Sequence, residues 1–173
     1  MMTTSEQLYS ALGHLSVAFA ETEQNMRDLL SIHIGKGDAS LIGQHLVEDM
    51  PLFRLLELTK KVVRVGSPRQ RGMTSIIKSI EALRPERNRF IHGKWKVSKR
   101  AVEGEPIAWY TSDRIVFSEG VRNGEKVLSW MTSKTERIPL SRIRAITEKL
   151  IGIIELQEAL LNDLKELDNH EWD

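Results

Sequence analysis

Cysteine is absent from the 173 residues, which removes disulfides, thiolate metal sites and cysteine nucleophiles from consideration. Aromatic residues make up only 6% of the chain, so each of the four tryptophans stands out. No uninterrupted apolar run approaches the ~20 residues that a membrane-spanning helix needs. The start, Met1-Met2-Thr3-Thr4-Ser5-Glu6, lacks the charged-then-apolar layout of a signal peptide, so a soluble, cytoplasmic protein with no membrane partner is expected. There is also little net charge, +1, but it is unevenly spread. Lys60 to Arg100 holds thirteen Lys or Arg against Glu81 and Glu86, a surplus of eleven, so the rest of the chain is acidic by ten. A basic middle suits an anionic partner, or docking against the protein's own acidic part.

The length fits one domain, 1–173. Between Ser5 and Ile34, Leu8, Leu12, Leu15, Phe19, Met26 and Leu30 recur at threes and fours and predict a long amphipathic helix ended by Gly35-Lys36-Gly37. Thr22 and Glu23 interrupt the stripe, which places a carboxylate at or beside the buried seam. Glu23 is either a partner for a buried arginine or a boundary residue reaching solvent. Asp38 can cap a short helix through Leu41, Ile42 and Leu46, and Pro51 starts another through Leu52, Leu55, Leu56, Leu58, Val62 and Val63. Gly66 to Gly72 reads as a basic loop, with a further helix from about Met73.

After Trp95 the pattern changes to short β-prone runs: 94–100, 107–111, 114–117 and 126–131. Asn123-Gly124 is a hairpin signal. Trp109 and Trp130 are read as packing the resulting sheet onto the helices. From Ser141 a helix returns, with an apolar stripe from Leu140 through Ile143, Ile146, Leu150, Ile153, Ile154, Leu160, Leu161, Leu164 and Leu167. A stripe that wide belongs to a central helix or to one covered by a second subunit. The expected fold is mainly α, an up-and-down helical bundle with a small antiparallel β insertion at about 94–132 before the long C-terminal helix.

The chain is organised around Arg84 to Trp95. The phase of Ile76, Ile80 and Leu83 continues through position 87, so an arginine occupies a core position. His92 follows Asn88 by one turn, and Gly93 is a candidate C′ residue. Pro85 must kink this helix or open a new one. Arg87 offers a planar fork for phosphate oxygens, and His92 can move a proton near neutral pH. Together they suit attack of a ribose 2′-hydroxyl on its neighbouring phosphodiester, with Asn88 orienting the histidine or a phosphate oxygen and no metal or other cofactor needed. Residues five apart lie about 140° around a helix. Either His92 leaves helical geometry at Gly93, or copies from two chains complete one site. The bland alternative makes Arg87 a core-edge ion-pair residue and His92 a helix-end group.

Arg87-Asn88-Arg89-Phe90-Ile91-His92-Gly93-Lys94-Trp95 resembles the signature of the HEPN superfamily: arginine, often then asparagine, with histidine four to six residues on. That resemblance implies a helical bundle that dimerises so that two motifs line one cleft, and in many members a metal-independent endoribonuclease leaving a 2′,3′-cyclic phosphate. Arg87 would hold the scissile phosphate, His92 transfer protons and Asn88 position them. Other members are inactive nucleotide- or RNA-binding or protein-interaction modules, or work as toxins beside a nucleotidyltransferase-type antitoxin. The implied partners are a second copy, RNA and such an antitoxin. Arg84, Arg89, Lys94 and Lys96 are candidates for tracking an RNA backbone, or form a solvated basic face. Trp95 is a candidate for base stacking or for packing at the strand start.

Overall fold

The computed structural model describes residues 3–35, 40–63, 68–97, 107–114, 118–122, 125–129 and 132–170. Five helices are α1 (Thr4–Ile34), α2 (Ser40–Val47), α3 (Leu52–Val62), α4 (Pro68–His92) and α5 (Leu140–His170). Between α4 and α5 lie the strands β1 (Lys94–Val97), β2 (Ile107–Arg114), β3 (Ser118–Arg122), β4 (Glu125–Ser129) and β5 (Thr132–Pro139). The protein is thus a helical bundle with an antiparallel β insertion, as its patterning predicts. Among the described residues no helix is long and apolar enough to cross a membrane.

Two compact units divide the chain between Pro85 and Glu86: residues 14–85 with 145–173, and residues 1–13 with 86–144. In the first, the seam of α1 continues through Leu15, Ala18, Phe19, Thr22, Met26, Leu29 and Leu30, all buried. Each fully buried leucine or phenylalanine contributes about 1.5–3 kcal/mol. Thr22 fits the seam because its Oγ1 donates to the Ala18 carbonyl oxygen at 2.8 Å. Glu23 sits half-buried at the seam's edge and accepts a hydrogen bond from Arg27 Nη2 at 2.8 Å. Leu30, Val47 and Leu55 bring α1, α2 and α3 to one apolar cluster. Pro51 caps α3, its carbonyl accepting from the amides of Arg54 and Leu55.

One helix boundary is corrected. Residues 68–72 are the first turn of α4, since Pro68 starts a helix where its missing N–H costs nothing. Of the two alternatives for Pro85, a new start does not occur, since the helix runs on through it to His92. The broad stripe of α5 is explained by centrality. Leu140, Ile143, Ile146, Leu150, Ile153, Ile154, Leu160, Leu161 and Leu164 are all buried within the chain itself.

The second unit carries the strands. β1, β2 and β5 form an antiparallel sheet in the order β1-β2-β5, and β3 pairs with β4 as a separate hairpin. Arg122 of β3 pairs with Glu125 of β4; Asn123 and Gly124, like Asp38, Trp130 and the Trp109 side chain, lie outside the described residues. The β segment runs on to Pro139 because Thr132–Pro139 forms an edge strand on β2. That run is mostly polar, which suits a sheet edge and hides it from an apolar-alternation search. β3 carries Gly120 and little apolar character, and was hidden for the same reason. Likewise Arg114 ends β2, where a new strand was expected.

Candidate functional site

Arg87, Asn88 and His92 all lie in the last two turns of α4, in the unit that holds the sheet. Arg87 is half-buried in phase with buried Ile80, Leu83 and Phe90, while Asn88 is exposed. His92 is the last helical residue, so its backbone stays in helical geometry up to Gly93; its side chain lies outside the described residues. Asn88 and His92 therefore share a face one turn apart, whereas Arg87 and His92 diverge by about 140°.

The turn carrying His92 is held by the strand that follows it. Trp95 Nε1 donates to the Phe90 carbonyl oxygen at 3.0 Å, satisfying an acceptor at the helix C-terminus. The Phe90 and Trp95 rings stack at 5.4 Å between centroids and 10° between planes. Of the two roles weighed for Trp95, the described contacts are those of packing.

On the other side of the motif, Glu86 Oε1 accepts from Arg142 Nη2 at 2.8 Å. Arg89 Nη1 lies 3.6 Å from the same oxygen, and Arg89 Nη2 lies 3.4 Å from Glu136 Oε2 on β5. Two carboxylates thus hold Arg89, which is 29% exposed. Arg84, Lys94 and Lys96 are exposed. Among the basic candidates, then, the structure places Arg89 in a folding network and the other three at the surface. Glu86, Glu136 and Arg142 escaped the reading of the sequence. Only the three-residue step from Glu86 to Arg89 carried a local signal.

No family model, curated protein or solved structure matches the chain. The chemistry of the site therefore rests on its own residues. Among the described residues no three or more His, Asp or Glu side chains gather as a metal site would require. What the α4 terminus offers is a half-buried guanidinium, an exposed amide and an imidazole-bearing residue within two turns, a set able to bind a phosphate and transfer a proton.

Proposed function

We propose that the protein is a HEPN-like, metal-independent endoribonuclease acting as a homodimer, in the manner of a toxin or defence effector. The observation that carries this reading is the helical placement of Arg87, Asn88 and His92 over the final turns of α4. One helix cannot aim Arg87 and His92 at one phosphate, so a second copy completes the site. An imidazole of His92 takes the proton of a ribose 2′-hydroxyl, whose oxygen attacks the adjacent phosphorus. The bond from phosphorus to the 5′-oxygen breaks, and that oxygen takes a proton from the second copy's His92 or from water. A 2′,3′-cyclic phosphate and a 5′-hydroxyl result. Arg87 meets the charge on the non-bridging oxygens, and Asn88 orients the imidazole.

The test is cleavage of RNA by purified protein in excess chelator, beside folded Arg87→Ala and His92→Ala variants. Cyclic-phosphate products from the parent alone support the assignment. Cleavage that persists when the 2′-hydroxyls are replaced by hydrogen would remove it, and a strict monomer in solution removes the composite site. The half-burial of Arg87, which limits approach to a phosphate, favours a second reading: a non-catalytic dimeric module that binds nucleotide, RNA or a protein such as a nucleotidyltransferase-type antitoxin. Salt-sensitive binding without cleavage would identify it.

A further inference from the structure

α2 is apolar on two sides, and the chain covers only one of them. Gly43 and Val47, one turn apart, meet the rest of the fold. A Cβ at Gly43 would sit 2.5 Å from the Ser31 carbonyl oxygen of α1, and Val47 packs with Leu30 and Leu55. Leu41, Ile42 and Leu46 lie on the arc turned from these two, since each residue advances about 100° around the helix. They are 63%, 62% and 55% exposed. Three large aliphatics on one arc of an eight-residue helix form a continuous strip.

Beside the strip, α1 and α2 bound an open polar cleft of about 400 Å³. Asp28 of α1 and Glu48, just past the end of α2, line it with Gln24, Arg27, Gln44 and His45. The Arg27 charge is met by Glu23 at 2.8 Å, and its Nη2 also donates to the Met50 carbonyl oxygen. His45 Nδ1 is 3.6 Å from Glu48 Oε2 and carries charge only when protonated. Asp28 Oδ1 accepts from the neutral Gln24 amide at 2.9 Å. The cleft is thus left negative, at the C-terminal end of α2, where the helix dipole is negative too.

Size and charge select the occupant. Covering the strip buries on the order of 300 Å² of apolar surface, whereas each partner in a stable protein dimer buries about 800 Å². The strip is therefore too small to hold a second copy by itself. An anionic lipid surface is repelled by carboxylates at the strip's edge, where interfacial helices carry Lys or Arg instead. A single amphipathic helix matches both features. Its aliphatics from i to i+7 span about 10 Å, close to the roughly 12 Å rise of α2, and a basic residue beside them reaches the cleft.

We infer that Leu41, Ile42 and Leu46, with the adjoining cleft, form a docking site for a basic amphipathic helix of a partner protein, whose Arg or Lys sits beside Asp28 and Glu48. The site lies in the unit of residues 14–85 with 145–173, whereas Arg87, Asn88 and His92 lie in the other. Docking there needs neither RNA nor cleavage, so it stands apart from the ribonuclease reading.

The probe is a displayed library of helical peptides of roughly 16 residues, with aliphatics fixed at i, i+4 and i+7 and the other positions free, selected on the purified full chain. Selected peptides should carry Lys or Arg beside the apolar stripe. Their affinity should fall roughly tenfold or more in Ile42→Ser and in Leu46→Ser, with thermal unfolding midpoints unmoved because both positions are exposed. Asp28→Lys with Glu48→Lys should turn the selected preference from basic to acidic peptides, which a merely structural role for these side chains does not do. Glu48→Lys alone, at a side chain 73% exposed, should show the same trend. No enrichment, enrichment without basic bias, or affinities unmoved by Ile42→Ser and Leu46→Ser overturns the inference. So does a dimer of the chain that Leu46→Ser dissolves, or binding of the chain to anionic lipid vesicles that the same substitution abolishes.

Discussion

Trp95 closes the corner between α4 and β1 on Phe90, by an indole hydrogen bond of 3.0 Å to its carbonyl and by a stack of the two rings. The two contacts are separable. Trp95→Phe keeps the stack and should lose about 1 kcal/mol, the worth of one hydrogen bond. Trp95→Ala removes both and should cost roughly 2–3 kcal/mol, below the range for a fully buried tryptophan because Trp95 is half-exposed. Urea unfolding of both variants checks the difference.

Arg89 is engaged by Glu86 and Glu136. Arg89→Ala should therefore act on folding, by about 0.5–1 kcal/mol given the part-exposed groups, and less on RNA affinity than Lys96→Ala. Paired unfolding and binding titrations distinguish the two. An RNA affinity lost at Arg89 but kept at Lys96 would invert that expectation.

Two helical glycines should respond to alanine with opposite signs. A Cβ at Gly43 would sit 2.5 Å from the Ser31 carbonyl oxygen, at the crossing of α2 and α1. Gly43→Ala must push the helices apart and should destabilise by about 1–3 kcal/mol. Gly72, exposed in the first turns of α4, has nothing within 4 Å of such a Cβ. Gly72→Ala should stabilise by about 0.5–1 kcal/mol. Thermal unfolding midpoints moving in the same direction would contradict this.

Gln157 of α5 is fully buried and donates Nε2 to the Thr22 carbonyl oxygen at 3.1 Å, while its Oε1 accepts nothing among the described residues. Gln157→Leu should be neutral or stabilise by up to about 1 kcal/mol. Gln157→Glu places a carboxyl whose folded pKa burial raises. Its penalty should be small below the unfolded carboxyl value of about 4.3 and should grow as pH rises past it, to roughly 3 kcal/mol at neutrality. Urea unfolding at acid and neutral pH measures it.

At the start of α1, the Thr3 amide and hydroxyl donate to Glu6 Oε2 at 2.6 and 3.0 Å, and the Glu6 amide returns a bond to Thr3 Oγ1. The backbone bond first, then the hydroxyl, holds the Glu6 carboxyl below its usual value. The cap is thus complete above the ordinary glutamate range and is lost as pH falls through the depressed value. A carboxyl titration by NMR should show Glu6 below the usual glutamate value, and Thr3→Val, which keeps the backbone bond and removes only the hydroxyl, should move it part of the way back.

Helix existence was legible in residues such as Leu8, Leu15 and Met26, because a period of 3.6 is written into local spacing. The Asn123-Gly124 hairpin signal was local too, and β3 pairs with β4 on either side of it. The motif Arg87, Asn88, His92 was equally local, and its angular spread follows from helix geometry alone. The sequence by itself thus determined the helices, the hairpin signal and the spacing of Arg87, Asn88 and His92. Tertiary structure decided the rest: that α5 is central, that β5 joins β2, and that Glu136 and Glu86 claim Arg89. Each of these depends on partners brought together by packing, such as Arg142 and Glu86 across 56 residues, and no local period encodes a pairing over that distance.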